Sequence, residues 1–163
     1  MLAPGGCLCG ELRYAVSAAP TRLTICHCRF CQRATGSAYM VEPIFPKDAF
    51  ALTSGKARVY SHRSEGSGKI VSVHFCATCG TKLFLSFERF SEVVGIYAGT
   101  FDDPNWFARV PETLKHIFLG VAQRGTIIPS GVKTYREHAT DNAGQPLEPT
   151  VFDSPHEIDL LHA

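Results

Sequence analysis

The chain's seven cysteines are gathered into three short groups, Cys7-Leu8-Cys9, Cys26-His27-Cys28-Arg29-Phe30-Cys31 and Cys76-Ala77-Thr78-Cys79, and none lies outside them. C-x-C and C-x-x-C spacings let two sulfurs reach one ion from a single turn, and a tetrahedral zinc site takes four such ligands. Seven divides into four and three, so one site can be closed by protein while another keeps a position open. In zinc proteins an open position is where chemistry takes place. Any fold for this chain must bring cysteines that are distant in sequence to common points.

Two partitions of the cysteines are available. Cys28, Cys31, Cys76 and Cys79 could form an ordinary zinc ribbon, which leaves Cys7, Cys9 and Cys26 idle. The partition that wastes no thiol joins the C-x-C pair to the distant C-x-x-C pair. Cys7, Cys9, Cys76 and Cys79 then close a structural site, and Cys26, Cys28 and Cys31 form a local three-sulfur site. Cys26 ends an extended segment, and Cys28 and Cys31 lie at the start of a short helix, whose dipole and free N–H groups favour thiolates. A histidine in the fourth position would make the second site structural as well, and His27, His62 and His74 are the candidates. His27 lies between two ligands of an extended stretch, where neighbouring side chains point opposite ways.

The 163 residues fit one domain, expected over residues 1–138 with a polar, proline-bearing tail over 139–163. Sixteen basic residues balance fifteen acidic ones, so nothing draws the chain electrostatically to nucleic acid or an anionic membrane. No apolar run approaches the ~20 residues of a membrane span. Cysteines clustered without an export signal at the N-terminus read as metal ligands in a reducing compartment, and the expected location is cytoplasmic.

Short strands dominate the pattern. Glu11 to Val16 alternates with Leu12, Tyr14 and Val16 on one face. Further strands are predicted over Ser37 to Phe45, Phe50 to Thr53, Ala57 to His62, Lys69 to Phe75, Lys82 to Phe87, Glu92 to Thr100 and Leu114 to Leu119. The turn-bearing SEGSG segment separates two antiparallel members. One short helix is expected over Arg29 to Ala34, stopped by Thr35-Gly36, and one turn over Pro46 to Ala49. The expected class is all-β.

The segments GGCLCGELRY, CHCRFCQRATGSAY and FCATCGTKLF resemble the three signature segments of the glutathione-dependent formaldehyde-activating enzyme family, which also includes centromere protein V. The resemblance runs over roughly residues 4 to 120, and His116-Ile117-Phe118 fits the family's later strand. The chain departs after that strand, where VAQRGTIIP replaces an Ala-Pro-Trp-like segment. The resemblance implies a zinc-stabilised antiparallel all-β fold of the Mss4-like, or β-tent, type with one or two short helices. It implies two zinc ions, a structural one on Cys7, Cys9, Cys76 and Cys79 and a catalytic or labile one on Cys26, Cys28 and Cys31. It also implies a carbon–sulfur lyase-type activity that joins the thiol of glutathione to formaldehyde.

Around the three-cysteine site the expected contacts for glutathione are Arg29, Gln32, Arg33, Thr35, Gly36 and Ser37. Arg29 and Arg33 are four apart and share a helix face, which suits a clamp for a carboxylate, a group that glutathione carries twice. The expected catalytic set is Cys26, Cys28 and Cys31 with Tyr39 as proton donor. The alternative is a non-catalytic zinc module for a protein partner. A homodimer is left open.

Overall fold

The computed structural model describes residues 3–159. In chain order the strands are β1 (Ala3–Gly6), β2 (Arg13–Val16), β3 (Arg22–Cys26), β4 (Met40–Pro46), β5 (Phe50–Ser54), β6 (Arg58–Arg63), β7 (Ile70–Phe75), β8 (Lys82–Phe87), β9 (Val93–Ile96), β10 (Leu114–Ile117), β11 (Ile127–Ile128), β12 (Lys133–Thr134), β13 (Thr150–Val151) and β14 (His156–Glu157). One α-helix, α1 (Arg29–Thr35), follows β3. The described residues are therefore all-β with a single short α-helix. The described chain divides into two compact units, residues 3–21 with 42–108, and residues 22–41 with 109–159.

The first unit holds two antiparallel assemblies. Strands β1, β2 and β5 pair side by side, with Gly5 opposite Tyr14 and Val16 opposite Phe50. The others run in the order β4-β9-β8-β7-β6. Alternation puts Tyr14 and Val16 of β2 fully inside, while three consecutive residues of β8, Leu83, Phe84 and Leu85, are all buried. Phe45, Phe101, Trp106 and Phe107 add an aromatic cluster, in which Phe45 stacks on Trp106 at 6.1 Å. The Tyr14 ring meets Phe101 edge-on, and its hydroxyl reaches Thr100 Oγ1 at 2.9 Å, so the phenol is not buried unsatisfied. Arg13 makes an ion pair with Asp102 in the turn after β9.

The second unit is organised around β10, which pairs with β3 on one side and β12 on the other, both in parallel. The strand spacing did not anticipate parallel pairs. They arise because β3 and β10 are joined through the whole of residues 42–108, and a crossover of that length is what a parallel pair needs. An apolar knot of Ala122, Ile128 and Ile158, packed by Leu119 and Phe152, completes this unit. The polar segment from residue 139 supplies β13, which pairs with β12, and β14, which pairs with β11. Residues 160–163 of that expected tail, and residues 1–2, lie outside the described residues.

Three predicted strands are shorter than their hydrophobic patterns. β4 begins at Met40 rather than Ser37, because Gly36 caps α1 in the left-handed conformation and the chain turns before extending. β9 stops at Ile96, where a 3-10 turn over Ala98–Thr100 takes over. β10 stops at Ile117, because Phe118 adopts a φ of 62°, a conformation unfavourable for a bulky side chain, and redirects the chain.

Candidate metal centres

All seven thiols are unbridged. Their sulfurs fall into two groups, Cys7 with Cys9, Cys76 and Cys79, and Cys26 with Cys28 and Cys31, each mutually within 4.8 Å. The alternative ribbon of Cys28 and Cys31 with Cys76 and Cys79 is not the grouping found.

The first group lies in the first unit and is built from two turns of the same design. After β1, the Cys7 N–H donates to the Leu12 carbonyl and Gly10 N–H returns to the Cys7 carbonyl; after β7, Cys76 N–H donates to Thr81 and Gly80 N–H returns to Cys76. Both turns end on a glycine with positive φ, 77° at Gly10 and 74° at Gly80, a conformation that a side chain would disfavour. The two cysteines of each turn thereby face the same point. Cys7 and Cys9 sulfurs are 3.4 Å apart, and Cys9 and Cys76 sulfurs 3.7 Å. These spacings are far longer than a disulfide. They fit the edges of a tetrahedron, about 3.8 Å for metal–sulfur bonds of about 2.3 Å. The Leu12 N–H donates to the Cys7 sulfur at 3.2 Å. A hydrogen bond from Thr81 pulls the Cys79 thiol down to about 5, giving Cys79 thiolate character near neutrality, while hydrogen bonding among the neighbouring thiols pushes Cys9 up to about 12.

The second group lies in the second unit. β3 delivers Cys26, Cys28 is the N-cap of α1, and Cys31 stands in the first turn of the helix. The Cys28 sulfur accepts from the Cys31 N–H at 3.3 Å. Hydrogen bonds from the Cys26 and Cys31 thiols hold Cys28 down at about 3, and Cys31, buried and donating, is pushed well above its usual range. The soft sulfur donors suit a thiophilic ion. Among the described residues no histidine or carboxylate joins the three sulfurs. Of the histidines weighed for the fourth position, His27 points to His116 and His74 stacks on Phe84 with its Nε2 on Ser86 at 2.8 Å.

The helix that carries Cys31 also walls an open, polar pocket of about 250 Å³ lined by Arg29, Gln32, Arg33, Gly36, Ser37, Ala38 and Gln123. Five of the six residues expected around a ligand therefore share one cavity. At 1.5 Å per residue, the α1 positions that line it are within about 10 Å of Cys28 along the helix axis. Thr35 does not line it; its hydroxyl donates to the Cys31 carbonyl at 2.7 Å and accepts from Ser37 N–H. Gln32 is buried, and its amide nitrogen donates to the carbonyls of His27 and Val121 while its oxygen accepts from Arg29. Its donors are thus committed to the protein, and its carbonyl orients the Arg29 guanidinium. Tyr39 is 37% exposed, with its ring 5.2 Å from that of His27.

Two features escaped the sequence reading. Gln123 belongs to the VAQRGTIIP segment, and nothing in the sequence ties it to α1. The His27–His116 pair, 3.0 Å apart and buried, joins the cysteine loop to β10. The HIF strand was visible, but not the residue its histidine faces.

The profile of the family described as "Glutathione-dependent formaldehyde-activating enzyme" matches residues 2–120. A Halomonas elongata protein assigned provisionally as a glutathione-dependent formaldehyde-activating enzyme is 28% identical over 122 residues, which cover 73% of this chain and 76% of that one. A crystal structure of a Rhodobacter sphaeroides protein superposes with a TM-score of 0.50 at 18% identity, covering 61% of this chain and 87% of that one, a likeness of fold alone. No helix among the described residues is long and apolar enough to cross a membrane.

Proposed function

The chain belongs to the glutathione-dependent formaldehyde-activating enzyme family, and from that membership we propose that it is a zinc-dependent catalyst of the carbon–sulfur lyase type, adding the thiol of glutathione to formaldehyde or a related small aldehyde. One zinc ion is structural, on Cys7, Cys9, Cys76 and Cys79; the second is held by Cys26, Cys28 and Cys31. The observation that carries the reading is a three-sulfur cluster with no fourth protein ligand among the described residues, on the same short helix as a basic, polar pocket. A zinc ion there would favour the ionised form of an incoming thiol at neutral pH.

The remaining steps belong to side chains. Arg29 and Arg33 take a carboxylate of the thiol substrate, with Arg29 aimed by Gln32 and the Ser37 hydroxyl beside them. This anchors the sulfur near the cluster and makes its encounter with the aldehyde effectively intramolecular. The thiol gives up its proton to solvent, the sulfur lone pair forms the carbon–sulfur bond to the carbonyl carbon, and the carbonyl π pair moves to oxygen. The oxygen then takes a proton from Tyr39, a residue exposed enough to regain one from solvent.

The test is formation of the hydroxymethyl thioether, followed by NMR against a protein-free blank, with metal counted per chain. Two ions and a rate above the blank support the reading; a rate equal to the blank with two inert ions sinks it in favour of a binding module. Losing one charge-assisted contact removes about 1.5–3 kcal/mol. Arg33→Ala should therefore raise KM for glutathione by roughly 10-fold to 100-fold, while leaving 2-mercaptoethanol, which has no carboxylate, unaffected.

A further inference from the structure

His27 is the single residue between Cys26 and Cys28, and it is fully buried. It is tied on three sides. Its backbone N–H donates to the Ile117 carbonyl at 3.1 Å, and its carbonyl accepts from Gln32 Nε2 at 2.6 Å. Ring Nε2 meets Nδ1 of His116, on β10, at 3.0 Å, with the two rings nearly parallel at 23°. The other ring nitrogen, Nδ1 of His27, is buried with no partner. An orphaned N–H is the rarer and costlier arrangement in a dry interior. The His27 proton therefore sits on Nε2 and is donated to His116 Nδ1, which leaves the proton of His116 on its own Nε2.

Two imidazoles in a dry interior, with one nitrogen unused, are less favourable than two aliphatic side chains of similar volume. What they supply and leucine does not is direction. Cys28 has extended backbone angles, φ −61° and ψ 155°, and β3 runs extended to Cys26. Along such a segment side chains alternate. Pinning the His27 ring to β10 therefore holds the Cys26 and Cys28 sulfurs on the opposite side, where they meet Cys31.

We infer that His116 is a positioning residue for the three-cysteine centre: its hydrogen bond to His27 fixes the loop that aims the Cys26 and Cys28 sulfurs at a common ion. The inference rests on the reading of Cys26, Cys28 and Cys31 as a metal centre, and its test separates the two. The full chain is loaded with cobalt(II), whose sulfur charge-transfer and d–d bands report thiolate count and tetrahedral geometry, and is then titrated with a chelator. Subtracting the spectrum of Cys28→Ser isolates the second centre. His116→Leu fills the space without an acceptor, whereas His116→Asn keeps a polar atom near the Nδ1 position. His116→Leu should release cobalt from the three-cysteine centre about tenfold more readily and shift its bands. His116→Asn should stay within about threefold of the parent, and the four-cysteine centre should be unaltered in both. If His116→Leu does not fold, His116→Gln, whose amide reaches past that position, replaces it with the same expected loss. His116→Leu (or Gln in its place) matching the parent, or Asn failing as badly as it does, overturns the positioning role alone. A parent chain that binds a single cobalt ion overturns the metal-centre reading and this inference with it.

Discussion

The two cysteine clusters gather the same donor atom, and they differ in how the chain reaches them. In the first, the contributing turns are 67 residues apart, as measured between Cys9 and Cys76. In the second, all three sulfurs come from six consecutive residues. A cross-link that closes a loop of that first length removes about 4 kcal/mol of chain entropy from the unfolded state, and one that closes six residues about 2 kcal/mol. An ion in the first cluster joins distant parts of the chain and contributes directly to folding. An ion in the second cluster stabilises mainly a loop that β3, β10 and α1 already hold through His27 and Gln32. Under the proposed function, its coordination would be free to serve chemistry, because these contacts rather than the ion hold the loop.

That contrast is broken or sharpened most directly by removing one sulfur from each cluster. Cys76→Ser takes a buried ligand from the first and should lower stability by about 4 kcal/mol or more, roughly 8 °C or more in Tm for a chain of this size. Cys28→Ser should lower stability by no more than about 2 kcal/mol while lowering the rate of thiol–aldehyde addition by at least about 100-fold. Thermal melts, metal content and rates on the same preparations decide the matter. Equal melting losses for the two variants would mean that both clusters are structural.

The clusters were legible in the sequence because metal-ligand spacing is a local property, and only the pairing of Cys7 and Cys9 with Cys76 and Cys79 needed an argument from leftover thiols. Most strands were legible too, since alternation at Tyr14 and Val16, or the run at Leu83 to Leu85, is written in the chain. β1 was not, because Ala-Pro-Gly-Gly has no strand propensity and is held by pairing with β2, and neither were the two-residue strands β11 to β14, too short to show any alternation. Strand ends were overrun wherever a backbone conformation, such as the left-handed Phe118, cuts across an unbroken apolar pattern. The pocket was half legible. Residues on α1 can be assigned to a face by counting, but Gln123 and His116 reach their partners through tertiary structure, and a single sequence carries no signal for that. Gln32 illustrates a subtler limit: its position was anticipated, while its commitment to His27 and Val121 depends on groups distant in the sequence.

The smallest expected effect concerns acid. Burial holds His27 and His116 down at about 4, His116 further disfavoured by the charge of His27, against an ordinary value of 6.5. In the first unit burial lowers His74 in the same direction. Between pH 6.5 and about 4 the unfolded chain binds protons that the folded chain refuses. Stability therefore rises with pH across that window, is complete above its upper end and is lost progressively toward its lower end. Protons would also displace any metal held by the clusters in this range, so the parent's curve would mix the two causes. His116→Asn separates them, because it removes one buried imidazole and leaves every sulfur in place. The slope of its denaturation midpoint against pH should be shallower than the parent's by up to roughly one proton. Parallel slopes for the two chains would mean that His116 takes up its proton as readily in the folded chain as in the unfolded one, and the hydrogen bond from His27 Nε2–H to a buried neutral acceptor would then be the wrong account of the pair.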